Sequence, residues 1–300
     1  MPSLRAWMMI ALMRAAGMKR KANDTGRFRD RVRAIQARGP AQPGRARERR
    51  LRIRRESFGG HEVFTAAPRQ GGSRHHILYL HGGAYVFDLL PVHWRVIEGL
   101  IRRTGASVTI PLYPVAPDRC WQDALGMVQP LYAKLAQRYG AENLAVMGDS
   151  AGGGMTLALA QQLRDAGEAL PRCLVLFSPW LDVGTDDPGV MAVEPRDPML
   201  SSAAARLAGS WYARDLPLDD PRVSPIYGSL AGLPPMAVFT GTRDMLLADA
   251  RRLRNRAAEE GARLDFHEQD GLFHAWVLFP IPEAEQAMDE AAAFLKATRP

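Results

Sequence analysis

An α/β architecture, a mostly parallel central sheet flanked by helices on both faces and carrying a helical cap, follows from three features of this 300-residue chain. Apolar runs of strand length alternate with helix-length segments from about residue 49 onward. Two clusters of small residues, HGGAY at 81–85 and GDSAGGG at 148–154, burst directly from the ends of the apolar runs ILYL and LAVM. Two segments, 1–48 and roughly 183–233, stand outside the alternation and are the natural material for the cap.

The opening stretch LRAWMMIALMRAAGMKRK predicts an amphipathic helix, with Leu4, Trp7, Met8, Ile10 and Leu12 on a broad apolar face between Arg5 and Arg14. Its apolar run is short and shows no clear small-x-small cleavage pattern, so it resembles an export signal only weakly. Residues 4–17 are expected to cover a pocket mouth, and methionines at 1, 8, 9, 13 and 18 make a pliable surface for that role. RRLRIRRESF and HEVFTAA are strands joined by Gly59-Gly60, a hairpin signal. RHHILYL is a buried strand ending at His81, WRVIEGLIRRTG a helix closing on Gly105, and ASVTIPLYP a strand. WQDALGMVQPLYAKLAQRYG is helical, with a kink expected at Pro130. LAVM, CLVLFSP, MAVFTGT and ARLDFHE are the remaining strands, and GGMTLALAQQLRDAG, DARRLRNRAAEEG and EAEQAMDEAAAFLKA the remaining helices. Residues 49–300 thus form the sheet domain, with the cap insertion at about 183–233.

Composition is that of an ordinary globular chain, 47% apolar and 24% charged. Cys120 and Cys173 lie far apart with no metal-ligand spacing, so neither a disulfide framework nor a zinc site is expected, and a reducing, cytoplasmic setting fits. No apolar stretch approaches the ~18–20 residues of a membrane span. The charge is uneven: residues 1–60 hold 17 Lys/Arg and 4 Asp/Glu, the remainder 22 and 28. A basic arm points to nucleic acid or to an anionic membrane surface. Arginine supplies 35 of the 39 basic residues throughout the chain, however, and no aromatic residues interleave with it as stacking platforms, so no nucleic-acid partner is expected.

Gly148-Asp149-Ser150-Ala151-Gly152 fits G-x-S-x-G between a predicted strand and a predicted helix. That context makes Ser150 a nucleophile presented on a strained turn rather than part of a glycine-rich turn that packs closely or binds phosphate. A serine hydroxyl needs a base, and the base needs a third group to hold it. Two histidines follow Ser150. His267 falls inside a strand and suits a structural role, whereas His274, on the loop past that strand in GLFHAW, is assigned as the base. The orienting acid is Asp244, two residues beyond MAVFTGT, with Asp270 and then Asp249 as alternatives. HGGAY supplies what attack on a carbonyl requires next, backbone N–H donors for the developing oxyanion. Gly82, Gly83 and the first helical amide, Ala151, are the expected donors. His81 adjoins the glycines and is read as bracing the loop, with Ala84, Tyr85 and Asp149 shaping its surroundings.

With these residues placed, the chain resembles the hormone-sensitive-lipase-like (bacterial family IV) carboxylesterases of the α/β-hydrolase fold, over about residues 75–295. The resemblance rests on HGGAY, YPVAPD at 113–118, GDSAGGG, SPWLDV at 178–183, RDMLLADA at 243–250 and GLFHAW at 271–276. The order Ser150, Asp244, His274 is the order that fold uses. The resemblance implies a serine hydrolase that cleaves carboxylic esters of short-chain acyl groups or small lactones, without a cofactor, through an acyl-enzyme. It also implies a cap built from the N-terminal helices and the insertion, and a possible homodimer through the last strand and helix. Three positions depart from the family pattern: Ala84 for a third glycine, Pro114 in YPVAPD, and Met245 where the family has the proline of DPL. An alanine amide at 84 can still donate if its φ is negative, so the substitution bears on pocket shape rather than on activity. Two alternatives remain beside ester hydrolysis: a lactone, N-acetyl or amide hydrolase on the same three residues, and a non-enzymatic ligand receptor on the same fold.

Overall fold

The computed structural model describes residues 1–298. Four helices come first: α1 (Leu4–Ala15), α2 (Met18–Asn23), α3 (Thr25–Gln36) and α4 (Arg45–Arg50). Strands β1 (Leu51–Phe58) and β2 (His61–Pro68) then form an antiparallel hairpin, with Gly59 and Gly60 at φ 57° and 82°. A two-residue turn of this hand matches the strand twist and needs residues that tolerate positive φ.

The alternation that follows is β3 (His76–Leu80), α5 (Pro91–Thr104), β4 (Ser107–Pro111), α6 (Trp121–Tyr139), β5 (Leu144–Asp149), α7 (Ala151–Asp165) and β6 (Cys173–Phe177). Helices α8 (Pro188–Val193) and α9 (Ser202–Ala213) occupy the interval before β7 (Met236–Gly241), α10 (Leu247–Glu259), β8 (Leu264–Gln269) and α11 (Pro282–Ala297). The strands form one sheet in the order β1-β2-β4-β3-β5-β6-β7-β8, antiparallel only at β1–β2 and β2–β4.

Period-2 alternation divides each buried strand between two cores. Ile77 and Tyr79 of β3 join Trp94 and Ile97 of α5 and Met288 of α11, whereas Leu78 and Leu80 join Val128 of α6, Leu157 of α7 and Leu253 of α10. Helices therefore cover both faces, as a parallel sheet requires. Helix α5 stops at Gly105, at φ 68°, the left-handed cap read from its glycine. Helix α6 runs unbroken through Pro130. Gly126 and Pro130 are both exposed, where solvent satisfies the carbonyl that proline leaves without a donor.

The first helix departs from expectation. Its buried residues are Ala6, Ile10 and Met13, while Leu4, Trp7, Met8 and Leu12 are exposed. Apolar residues surround this helix, so hydrophobic pattern alone did not say which side packs.

Candidate active site

Parallel register builds the site. Leu80 lies opposite Gly148, Asp149 opposite Phe177, Phe177 opposite Phe239, and Gly241 opposite Gln269. The loops after β3, β5, β6, β7 and β8 consequently gather at the carboxyl ends of the strands, where α/β sheets hold their chemistry.

Ser150 stands between β5 and α7 at φ 51° and ψ −120°. A non-glycine residue there stores roughly 1–3 kcal/mol of strain, sustained by its surroundings. Its N–H donates to the Phe177 carbonyl at 2.9 Å, and its own carbonyl accepts from Trp180 at 2.9 Å and Gly154 at 3.1 Å. The flanking glycines are obligatory: a Cβ on Gly148 would sit 2.3 Å from the Gly152 carbonyl oxygen, and one on Gly152 would sit 1.9 Å from that of Leu80.

The Ser150 hydroxyl is 2.8 Å from His274 Nε2, and His274 Nδ1 is 3.0 Å from each carboxylate oxygen of Asp244. Facing only carboxylate oxygens, Nδ1 carries the proton, which leaves Nε2 a free lone pair toward the serine. Burial alone would lower the His274 pKa, but the Asp244 carboxylate in contact, with Asp197 and Asp149 beyond it, raises it above the ordinary 6.5. The alternative acids lie elsewhere. Asp270 is exposed and accepts from Thr242 Oγ1 at 3.1 Å, and Asp249 is buried in α10 with its charge neighbours Asp182, Asp187 and Arg252. His267 stacks on Phe239 with ring centroids 4.3 Å apart and lies 3.2 Å from Glu290, a structural position.

Among the expected oxyanion donors, Gly82 requires correction. Its N–H donates to Asp149 Oδ1 at 3.0 Å, so it is not free for a substrate oxygen. The same carboxylate accepts from the Tyr79 hydroxyl at 2.7 Å and lies 3.4 Å from His93 Nε2. Burial would raise the Asp149 pKa, but His93, Tyr79 and the Gly82 amide hold it below the ordinary value. Gly83 and Ala84 line the cavity with Ser150 and His274, and neither N–H has a protein acceptor among the described residues. Ala151 opens α7, so its N–H is one of the four that a helix start leaves unpaired. Ala84 adopts φ 54°, not a negative value, and Tyr85 follows at 59°, so the chain turns sharply here; the Ala84 N–H nonetheless has no protein acceptor among the described residues.

Two residues brace this loop from behind. His81 is fully buried, its Nδ1–H donates to the Gly82 carbonyl at 2.8 Å, and its ring stacks on Tyr113 at 4.3 Å. Burial, with His93 nearby, holds its pKa down at about 3, so it stays neutral. Tyr85 lies beneath the loop and stacks on Tyr212 of α9, centroids 3.6 Å apart.

A cavity of about 270 Å³ opens above Ser150. Met18 and Ala22 of α2, Phe28 and Ile35 of α3, and Leu200 and Ala204 at the start of α9 roof it. Helices α2 and α3 pack on α9, Phe28 stacks on Trp211, and the Gln36 amide donates to the Val86 and Ala116 carbonyls at 2.8 Å each. Residues 4–17 do not line the cavity. Instead α1 crosses the loops outside it, with Trp7 under the Arg243 guanidinium at 4.8 Å. A larger cleft of about 870 Å³ is lined by paired arginines, Arg50 with Glu98 and Arg103 with Glu285, and has no nucleophile in its lining. Volume alone does not locate the chemistry.

Two supporting residues escaped the sequence reading. The Ser178 hydroxyl accepts the Ala275 N–H at 3.0 Å and so fixes the backbone just past His274; its position in SPWLDV was the available signal. Asp197, buried in the insertion, accepts from Met199 and Leu200 at 2.8 and 2.9 Å and from Met245 at 3.0 Å. No local pattern marked it.

Known proteins resemble this chain in sequence and in fold. The profile of a family described as "alpha/beta hydrolase fold" matches residues 77–278. An esterase of Acinetobacter venetianus is 32% identical over 222 residues, 73% of this chain and 73% of its own. An acetyl-hydrolase of Streptomyces hygroscopicus is 32% identical across 73% of this chain and 75% of its own. The crystal structure of an esterase from the bacterial hormone-sensitive lipase family superimposes with a TM-score of 0.84 at 27% identity, covering 99% of each chain.

Proposed function

Because this chain belongs to the α/β-hydrolase-fold family, among its hormone-sensitive-lipase-like esterases, and is a serine hydrolase of carboxylic esters, we propose that Ser150 is its nucleophile, His274 its general base and Asp244 the acid that orients the base. The observation that carries this reading is the continuous contact from Ser150 Oγ through His274 to Asp244, at 2.8 and 3.0 Å. As Ser150 attacks the ester carbonyl, His274 Nε2 takes its proton, and Asp244 stabilises the imidazolium. The amides of Gly83, Ala84 and Ala151 receive the oxyanion; each such donor is worth ~3–4 kcal/mol in the transition state. The proton passes from His274 to the departing alkoxide, and a water deprotonated by the same nitrogen then releases the acid.

Small or short-chain acyl groups suit the site: a volume of about 270 Å³ corresponds to on the order of nine water-sized groups. Similarity to a protein named acetyl-hydrolase supports the same choice. The α2–α3 pair and the 183–233 insertion act together as a cap over the 49–300 sheet domain, since both contribute to the roof. No helix among the described residues is long and apolar enough to cross a membrane. The two buried, unpaired cysteines support a reducing, cytoplasmic setting, and the open β8 edge of the sheet offers a pairing surface for a second copy.

The experiment is Ser150→Ala on p-nitrophenyl acetate and butyrate. Turnover should fall at least ~10⁴-fold with the melting temperature preserved. Near-native turnover, or failure of a fluorophosphonate to label Ser150 in the parent protein, would refute the assignment.

A further inference from the structure

Five of the seven large apolar side chains exposed among the described residues fall in the first twelve positions: Met1, Leu4, Trp7, Met8 and Leu12. On α1, Leu4, Met8 and Leu12 follow one another at i, i+4 and i+8, opposite the buried Ala6, Ile10 and Met13. A helix that is apolar on both faces needs cover on both. The start of the helix is tied down near the loops that carry the proposed catalytic residues: Pro2 abuts Gly271, Ser3 Oγ lies 3.0 Å from Glu283 at the start of α11, and Trp7 lies against Arg243, the neighbour of Asp244. Leu4, Met8 and Leu12 on the outer face stay exposed among the described residues.

The surroundings say what does. Residues 1–38 hold ten Lys/Arg and two Asp/Glu. Arg5 and Arg14 on α1 itself, and Arg20 and Lys21 on α2, which packs against α1, are exposed and form no ion pair among the described residues. An apolar strip rimmed by unpaired cations, with a half-exposed tryptophan on its flank, has the chemistry of an interfacial helix on anionic lipid. A second copy of the chain fits less well, because a twofold contact would set one basic rim against the other. Nucleic acid fits less well too, because the strip offers leucine and methionine where base stacking needs aromatic rings.

We propose that the outer face of α1 docks on an anionic lipid surface, with Leu4, Met8 and Leu12 at the headgroup–acyl boundary and the neighbouring Arg and Lys on lipid phosphates. This brings the loops around the cavity to the lipid interface, where sparingly soluble esters collect. The proposal does not depend on the identity of the catalytic residues.

The full-length protein should co-sediment with phosphatidylcholine vesicles containing phosphatidylglycerol, and bind pure phosphatidylcholine, or either vesicle at high salt, at least ~10-fold more weakly. Binding should shift tryptophan emission to the blue, and Trp7→Phe should lose most of that shift. The triple variant Leu4→Gln, Met8→Gln, Leu12→Gln should bind the anionic vesicles at least ~10-fold more weakly, with turnover of p-nitrophenyl acetate and melting temperature unchanged. Absence of binding by the parent protein, or undiminished binding by the triple variant, overturns the proposal. So does a parent dimer that the triple variant converts to monomer without any vesicle binding, because the strip would then be a contact between copies.

Discussion

Asp197 Oδ2 accepts the backbone N–H of Met245 at 3.0 Å, a bond from the segment between β6 and β7 to the residue immediately after Asp244, which contacts His274. The chain departs here from the family's DPL pattern, and a proline at 245 could not make this bond. Burial and the nearby Asp244 charge push the Asp197 pKa up to about 6, against the pull of His274 and of its backbone donors.

Met245→Pro removes this donor, and against Met245→Ala, which shares the loss of the buried side chain but keeps the N–H, it isolates the tie. Leu247 N–H donates to the Asp244 carbonyl at 3.0 Å, so Met245 is the second residue of a turn, a position that favours proline. The substitution leaves a buried carboxylate oxygen short of a donor and should cost about 1–3 kcal/mol of stability. Asp197→Asn should act differently, because it removes a negative charge that favours the imidazolium: the acidic limb of kcat/KM should move to lower pH. A limb unmoved in Asp197→Asn would show that this carboxylate does not act on His274.

The parent enzyme should itself show a displaced limb. The His274 pKa is raised, and only the neutral ring accepts the Ser150 proton. Activity should therefore fade as pH drops through a value above 6.5, earlier than for an unperturbed histidine. Asp244→Asn removes the largest raising influence, so its residual activity should titrate at lower pH. A parent profile flat from pH 8 to 5 would contradict a histidine base.

Ala84 at φ 54° occupies backbone space that glycine enters at little cost. Ala84→Gly should relieve this strain and raise stability by up to about 1 kcal/mol while keeping esterase turnover, since the amide is retained. A lower melting temperature would mean that the methyl group packs more usefully than the backbone is strained.

Asp249 is fully buried with both carboxylate oxygens unpartnered among the described residues, and burial, with Asp182 and Asp187 nearby, pushes its pKa up to about 8 from an ordinary 3.8. The folded state thus keeps a proton that the unfolded chain releases, so this group's contribution is present below about 3.8 and lost as pH rises through about 8. Asp249→Asn should raise the melting temperature by a few degrees, on the order of 1–3 kcal/mol, and by more at pH 8 than at pH 5. An equal or lower melting temperature at pH 8 would exclude a protonated Asp249 in the native state.

What the sequence determined by itself was local. Strand-length apolar runs closed by Gly59-Gly60 and the two glycine clusters, and a helix stopped at Gly105, marked the elements, because backbone sterics and side-chain period act within a few residues. The same locality made Ser150, His274 and Asp244 nameable, each by its place just beyond a strand. Tertiary structure decided what depends on distant groups meeting. Asp149 captures the Gly82 amide across 67 positions, which leaves the Gly83 and Ala84 amides as the proposed oxyanion donors of that loop, and Asp197 reaches Met245 across 48. Which side of α1 faces inward was also a tertiary matter: a helix apolar on two opposite faces carries no signal that chooses between them, and only the loops it rests on select Ala6, Ile10 and Met13 over Leu4, Met8 and Leu12.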